Sequence, residues 1–203
     1  MICLEGGEGA GKSTAVATVR RWLEARGRTV RSTREPGGTP AAERIRALLL
    51  DPATGEIDPV TELLLMFAAR RENVVGVIEP ALAAGIDVIC DRFTDASHAY
   101  QGGGRELGPG PVEALARLVH PDLVPDLVLV LDVPVAIGRA RIETREGRSD
   151  RIENNRDEFF ERVRQSYLRR AAEHPDRYAV IDAAQPLAMV TAQIERALEE
   201  HLE

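Results

Sequence analysis

The amino-acid sequence predicts an α/β protein in which helices cover a parallel β-sheet. Short runs rich in Val, Ile and Leu have the composition of strands buried on both faces of such a sheet, and they alternate with longer segments of helical apolar spacing. The first run leads directly into a glycine-rich loop and a helix, as at the beginning of a βαβ unit. We expect strands at residues 1–4, 29–33, 87–90, 127–132 and 178–182.

Capping residues and apolar spacing place the helices between these strands. Asp58-Pro59 is typical of an N-cap followed by the first helical residue, and Pro80 is expected to kink or interrupt the helix that begins there. Glycine and proline residues at 102–104 and 108–111 bracket a predicted loop. Helices are predicted at 13–26, 40–50, from 58 through 74, at about 111–119, at 157–173 and at 186–202.

The composition is that of an ordinary globular protein. The 203 residues fit one domain, with 44% hydrophobic and 29% charged residues. A net charge of −7 gives no general attraction to nucleic acid or to an anionic membrane, so we expect neither as a partner. Cys3 and Cys90 lie in strand-like runs and are predicted to be buried thiols in a reducing compartment. We therefore expect a cytoplasmic protein.

The glycine-rich loop has the P-loop pattern, in which backbone N–H groups and a helix N-terminus surround a phosphate. Lys12 is the single lysine among 26 basic residues, and its compact ammonium fits between phosphates where a guanidinium would not. We expect Lys12 to act catalytically on the β- and γ-phosphates and Ser13 to bind Mg²⁺. The predicted nucleotide-binding loop residues are Gly6, Gly7, Glu8, Gly9, Ala10, Gly11, Lys12, Ser13 and Thr14.

Two further motifs follow predicted strands. TREPGGT at 33–39 follows the second strand, and DRF at 91–93 follows the third. In a parallel sheet both motifs would lie beside the P-loop at the carboxyl edge, where ligands bind. Asp91 is a predicted Mg²⁺ ligand. Glu35 either assists the metal or caps local backbone, and the sequence leaves both interpretations open.

Together these motifs resemble the thymidylate kinase family in its bacterial form. The resemblance extends through ERIR at 43–46, MFAARR at 66–71, DRFTDASHAYQGGGR at 91–105, DRIE at 150–153 and IDAAQP at 181–186. It implies a three-layer α/β/α P-loop sandwich with a five-stranded parallel sheet, formed by a single nucleoside monophosphate kinase domain over 1–203. It further implies transfer of the γ-phosphoryl group of ATP to dTMP, with Mg²⁺ as cofactor, and a homodimer packed through helices.

The resemblance also implies individual roles in the acceptor site. Arg92 and Arg46 match positions that clamp the acceptor phosphate. Phe67 is expected to stack on thymine, and Arg71 to bond its exocyclic oxygen, because residues four apart share a helix face. The other implied acceptor-site residues are Glu8 at the sugar 3′-hydroxyl, Tyr100 beside the sugar, Ser97 and Gln101 at the polar edge of the pyrimidine, and Pro36.

A lid at about 139–156 is the last implied element. The bacterial form of the family places arginines in this lid. Of these, Arg145 and Arg148 are the ones expected to act as transition-state cations. Arg139, on the helix leading into the lid, is expected to pack on adenine.

A deoxynucleoside kinase is the alternative within the enzymes, because it shares a P-loop and a DR motif. It would have to deprotonate a neutral hydroxyl, and Glu35 is the only carboxylate that the sequence offers for that step. An acceptor phosphate is already ionised and needs cations instead, which the arginines supply. A GTPase-type switch is a third possibility, from a different class of protein. Its Asn-Lys-x-Asp motif is excluded, because the only lysine, Lys12, belongs to the P-loop.

Overall fold

The computed structural model describes residues 1–144 and 150–202. Five parallel strands form one sheet in the order β2-β3-β1-β4-β5, which confirms the predicted α/β sandwich. Each strand lies within two residues of its predicted bounds. The strands are β1 Ile2–Gly6, β2 Val30–Arg34, β3 Asp87–Asp91, β4 Leu127–Asp132 and β5 Tyr178–Asp182.

Helices cover both faces of this sheet. The α-helices of the described residues are α1 Lys12–Glu24, α2 Pro40–Leu50, α3 Pro59–Asn73, α4 Glu79–Ala83, α5 Thr94–Ser97, α6 Pro109–Val119, α7 Val135–Glu143, α8 Asp157–Glu173 and α9 Leu187–Leu202. None of these helices combines the length and the apolar character that crossing a membrane requires.

The three layers follow from the alternation of side chains along β1. Ile2 and Leu4 pack against α1 and α9, whereas Cys3 packs on the opposite face, where α8 and the residues after α3 cover the sheet. Cys3 lies opposite Cys90 of β3, and both thiols are fully buried and free, as predicted.

Two helical irregularities surround the carboxyl edge. Val74–Ile78 forms a π-helical turn between α3 and α4, so the predicted interruption before Pro80 is confirmed; proline has no N–H with which to continue the regular ladder. His98–Gly104 continues α5 as a π-helical segment. The glycines at 102–104 therefore lie in a helical segment rather than at the border of a loop. A Cβ on Gly104 would lie 2.5 Å from the ring of Phe159, so its absence lets α8 pack directly on the segment.

Glu5 is a buried carboxyl that connects three elements. It lies inside β1 with no exposed surface. The backbone N–H of Phe93, after β3, donates to its Oε1 at 2.7 Å, and the Tyr167 hydroxyl of α8 donates to its Oε2 at 2.8 Å. Burial, and then the negative charge of Asp95, raise the pKa of Glu5 to about 8 against the lowering effect of Arg92.

This shift predicts a pH dependence of stability. The pKa of Glu5 is about 8 in the folded protein and 4.5 without the fold, so the folded state binds the proton more tightly between these values. The free energy of unfolding should therefore fall as pH rises from about 5 to about 8. Glu5→Gln keeps the shape and removes the titration, so its pH slope should be flatter than that of the wild type. Urea denaturation at pH 5.5 and 8 gives the free energy of unfolding of both proteins. If this free energy changed equally with pH in the wild type and in Glu5→Gln, the raised pKa of Glu5 would be contradicted.

Candidate active site

Most predicted site residues meet in one cavity of about 540 Å³ at the carboxyl edge of the sheet, here called the central cavity. This is the edge at which parallel-sheet proteins bind ligands. The predicted residues that line it are Glu8, Gly9, Ala10, Gly11, Lys12, Ser13, Thr14, Pro36, Arg46, Asp91, Arg92, Ser97, Tyr100 and Gln101. The predicted residues of the described chain that do not line it are Gly6, Gly7, Phe67, Arg71 and Arg139.

Close packing against α7 shapes the P-loop. A Cβ on Gly9 would lie 2.1 Å from the carbonyl oxygen of Gly138, so only glycine permits this approach. The Lys12 ammonium donates to the carbonyl oxygens of Gly6 and Gly7 at 3.2 and 3.0 Å. Gly6 and Gly7 thus hold the lysine through their backbone and do not line the central cavity.

Arg92 has an unusual backbone conformation that directs its side chain across the edge of the sheet. Its φ is 70°, a region that few residues other than glycine adopt, and its N–H donates to Leu4 O at 2.9 Å. The guanidinium Nη1 donates to Gly6 O at 2.9 Å and to the Tyr167 hydroxyl at 3.2 Å. Its Nη2 donates to Glu8 Oε1 at 2.6 Å.

Glu8 connects the P-loop to the opposite wall of the cavity. The same Oε1 that binds Arg92 also accepts the Tyr100 hydroxyl at 2.7 Å. The Arg92 guanidinium lies 4.7 Å from the centre of the Tyr100 ring, within the range of a cation–π contact. Burial, and then the charge of Arg92, lower the pKa of Lys12, because two cations share this small volume.

Arg46, Ser97 and Gln101 line the far side of the central cavity. Arg46 Nη1 donates to Pro36 O at 3.0 Å. Burial lowers the pKa of Arg46, and the charge of Arg34 acts in the same direction. Ser97 and Gln101 are four residues apart on the helical segment 94–104, so they share one face.

Arg70, rather than Arg71, is the arginine of MFAARR that lines the central cavity. Arg70 is 2% exposed. Its Nε donates to Glu35 Oε2 at 2.6 Å, and its Nη2 donates to Phe93 O at 2.9 Å and to Ser97 Oγ at 3.1 Å. Its Nη1 is buried and has no hydrogen-bond partner among the described residues. Arg70 thus lines the cavity and keeps one donor nitrogen without a partner in the described chain, whereas the prediction named Arg71.

Arg71 and Phe67 lie elsewhere. Arg71 has a half-exposed side chain and donates to Val119 O at 2.8 Å. Phe67 is buried, its ring parallel to that of His120 at 6.3 Å, and the Arg70 guanidinium lies 4.3 Å from its ring centre. The i, i+4 spacing that led to Phe67 and Arg71 does hold in the cavity, but one residue earlier, for Met66 and Arg70.

Glu35 pairs with two side chains rather than with local backbone among the described residues. Its carboxylate accepts from Arg70 Nε at 2.6 Å and from Asn73 Nδ2 at 3.1 Å. Asn73 Oδ1 in turn accepts the Thr33 hydroxyl at 2.6 Å. Burial raises the pKa of Glu35 against the lowering effect of Arg70. Glu35 thus fixes the orientation of Arg70. Arg34, by contrast, pairs at the surface with Glu43 at 2.9 Å.

Asp91 and Ser13 fit a site for a hydrated divalent cation. Both line the central cavity, and Asp91 Oδ1 is buried with no hydrogen-bond partner in the described chain. A carboxylate oxygen without a donor is suited to a cation or to one of its bound waters. The residues that the structure describes contain no group of three or more His, Cys, Asp or Glu side chains that could hold a metal. Mg²⁺ keeps several waters and takes few protein ligands, so one carboxylate and one hydroxyl fit this ion.

Arg139 and Arg141 leave α7 in different directions. Arg141 Nη1 donates to Gly9 O at 3.3 Å, and Arg141 lines a second cavity, of about 230 Å³, with Ala183 and Gln185. Arg139 instead pairs with Asp157 and lies 5.3 Å from the Phe160 ring, away from that cavity. Arg141 therefore lies directly beside the P-loop, whereas the adenine-packing role of Arg139 stays a prediction.

The favoured lid arginines, Arg145 and Arg148, lie outside the described residues. The chain after them, at Asp150, Ile152 and Glu153, lines the central cavity.

A buried cluster around Glu62 escaped the sequence analysis. Glu62 is 1% exposed and accepts hydrogen bonds from Gln101, Arg105 and Arg151. The signal that could have found it is its position, because a carboxylate that is buried together with the apolar run after it requires cationic partners.

Comparison with known proteins agrees with this geometry. A family model described as thymidylate kinase matches residues 4–194. A thymidylate kinase of Chromohalobacter salexigens is 56% identical over 202 residues, which cover 99% of this chain and 95% of the relative. A thymidylate kinase of Pseudomonas entomophila is 54% identical over 197 residues, covering 97% and 93%. This chain therefore belongs to the thymidylate kinase family.

Proposed function

We propose that this protein transfers the γ-phosphoryl group of ATP to dTMP and produces dTDP and ADP. The observation that carries the proposal is the convergence of Lys12, Arg46 and Arg92 on one cavity beside the P-loop. Two anionic substrates repel each other, so the reaction requires cations held in place before charge develops on the transferring group.

The donor side is formed by the P-loop and the start of α1. Backbone N–H groups and the positive end of α1 bind the phosphates of ATP, and Lys12 neutralises the β- and γ-phosphates. The second cavity, next to the loop, has room for part of the nucleoside, and Arg141 is the guanidinium suited to pack on adenine there.

The acceptor side begins with the phosphate of dTMP. Arg92 and Arg46 provide guanidinium groups that bind phosphate oxygens with two parallel hydrogen bonds. The attacking phosphate is ionised at neutral pH, so no general base is required. Glu8 and Tyr100, bonded to each other at 2.7 Å, form the wall that receives the deoxyribose.

Base recognition rests on Arg70 and Gln101. Arg70 Nη1 is a buried donor without a partner in the described chain, and the side-chain oxygen of Gln101 accepts no hydrogen bond from the described residues. A donor beside an acceptor complements O4 and N3–H of thymine. Cytosine presents the reverse pattern, with an amino group at C4 and an acceptor at N3.

Asp91 and Ser13 are the residues that would hold Mg²⁺. The ion would supply positive charge against the charge that develops on the phosphates during transfer. Asp91 supplies the buried carboxylate oxygen, and the Ser13 hydroxyl supplies a second ligand at the start of α1.

The lid arginines and the homodimer complete the proposal. Arg145 and Arg148 act on the transferring group as part of a lid at about 139–156 in one kinase domain. A homodimer forms through helices, and exposed apolar side chains at Val60 and Leu64 of α3 favour that interface.

The alternative of a deoxynucleoside kinase is not favoured, because its one candidate base, Glu35, is bound to Arg70.

The direct test is a coupled assay of ADP release with ATP, Mg²⁺ and a panel of dTMP, dUMP, dCMP, AMP and thymidine. We expect dTMP to have the highest kcat/KM of the panel and thymidine to give no turnover above the ATPase background. Turnover of thymidine without turnover of dTMP would replace this function with nucleoside phosphorylation.

Replacement of the two neighbouring arginines of α3 distinguishes the cavity residue from the surface residue. Arg70→Gln should lower kcat/KM for dTMP by about 100-fold, because it removes a buried, charged donor, and should leave the KM for ATP within about twofold. Arg71→Gln is the matched control and should retain the activity of the wild type. The same assay measures kcat/KM for dTMP in both variants. A larger loss in Arg71→Gln than in Arg70→Gln would indicate that Arg71, and not Arg70, binds the base.

Asp91→Asn tests the metal assignment. The amide is a weaker ligand than the carboxylate, so half-maximal activity should require about tenfold more Mg²⁺ than in the wild type. Calorimetric titration of ATP should show the same shift in Mg²⁺ dependence without turnover. An unchanged Mg²⁺ requirement in both measurements would remove Asp91 from the metal site.

A further inference from the structure

We propose that Glu62 is a specificity-determining positioning residue, which fixes the side-chain amide of Gln101 so that its oxygen faces the pyrimidine. The acceptor site then admits bases that carry N3–H, such as thymine and uracil, and excludes cytosine. This inference rests on the proposed function and assigns to it a residue that does not line the central cavity.

Each carboxylate oxygen of Glu62 accepts two hydrogen bonds. Its Oε1 accepts from Gln101 Nε2 at 2.9 Å and from Arg105 Nε at 3.2 Å. Its Oε2 accepts from Arg105 Nη2 at 3.1 Å and from Arg151 Nη2 at 2.5 Å. The two arginine side chains are 19% and 9% exposed, and that of Glu62 is 1% exposed, so solvent screens these pairs little.

Glu62 is ionised in this environment. Burial acts to raise its pKa, but the hydrogen bonds from Arg105, Gln101 and Arg151 outweigh burial and lower it. An ionised carboxylate has acceptor oxygens and no proton to donate. Glu62 therefore bonds the amino group of Gln101 and repels its carbonyl oxygen.

This asymmetry determines which atom of Gln101 remains for the ligand. An amide of glutamine can present either its oxygen or its nitrogen after a half-turn about its last bond. With the nitrogen 2.9 Å from Glu62, a half-turn would place two acceptor oxygens in contact with no proton between them. Glu62 and Gln101 are each 1% exposed, so little water reaches the contact between them.

The resulting pattern distinguishes pyrimidines. The Gln101 oxygen requires a donor at N3, and Arg70 Nη1 requires an acceptor at the adjacent exocyclic position. Ser97 connects these residues, since it accepts from Arg70 Nη2 at 3.1 Å and lies four residues before Gln101. Cytosine meets both groups with the wrong polarity, and a buried polar mismatch is strongly rejected.

Glu62→Gln is the test, because a glutamine can donate or accept and so permits both orientations of Gln101. We expect the ratio of kcat/KM for dTMP to that for dCMP to fall by about 10- to 100-fold. The ratio for dTMP to dUMP should remain unchanged, since both bases carry N3–H. A general loosening of the site would not separate these two ratios.

Arg105→Gln is the matched control. It removes two hydrogen bonds from the same carboxylate but leaves Glu62 ionised beside Arg151 and bonded to Gln101. Its dTMP/dCMP ratio should equal that of the wild type even if its Tm is lower. If Glu62→Gln does not fold, Glu62→Asp keeps the compensating charge while withdrawing the carboxylate from Gln101, and its ratio should fall by about threefold or more.

A folded Glu62→Gln or Glu62→Asp variant with an unchanged dTMP/dCMP ratio would overturn the inference, as would a parallel fall in the dTMP/dUMP ratio. The activity of the wild type toward dTMP distinguishes failure of this inference from failure of the proposed function. A wild type that does not phosphorylate dTMP rejects the function, whereas an active wild type with insensitive variants rejects only the role of Glu62.

Discussion

The hydrogen bonds of one guanidinium, that of Arg92, hold the edge of the sheet and the P-loop together. It contacts the carbonyl oxygen at the end of β1, the Glu8 carboxylate and the Tyr167 hydroxyl of α8. The left-handed backbone of Arg92 turns the chain so that its side chain reaches these partners. The P-loop and the wall proposed to receive the deoxyribose are thus positioned by the same side chain, and Tyr100 depends on it through Glu8.

Carboxylates orient the arginines of this site before any ligand arrives. Arg70 is paired with Glu35, Arg92 with Glu8, and Arg151 with Glu62, at 2.6, 2.6 and 2.5 Å. Burying such pairs costs desolvation energy that their attraction does not always recover. Their value lies in geometry, since a planar guanidinium fixed in advance loses little freedom when it binds phosphate or a base oxygen.

Sequence reasoning succeeded where a pattern has one physical meaning. Glycine spacing and the sole lysine predict the P-loop, and short apolar runs predict every strand of the sheet. The sequence does not determine the direction of a side chain, which the packing of each helix sets. Arg70 and Arg71 are adjacent arginines on one helix, and only the packing of α3 shows which faces the cavity. Arg139 and Arg141 differ in the same way. Glu62 was missed because its partners come from distant segments of the chain.

The Glu62 carboxylate also relates base recognition to the segment that carries the predicted lid. Arg151, which it binds, donates through Nε to Leu49 O at 2.7 Å and fixes this part of the predicted lid segment to the end of α2. Arg105 donates to Asn155 Oδ1 at 2.8 Å, and Asn155 O accepts from Arg139 at 2.5 Å. Both ends of the predicted lid therefore meet residues bonded to Glu62 or to its partners. One buried carboxylate thus bonds both a glutamine that lines the central cavity and an arginine of the predicted lid segment.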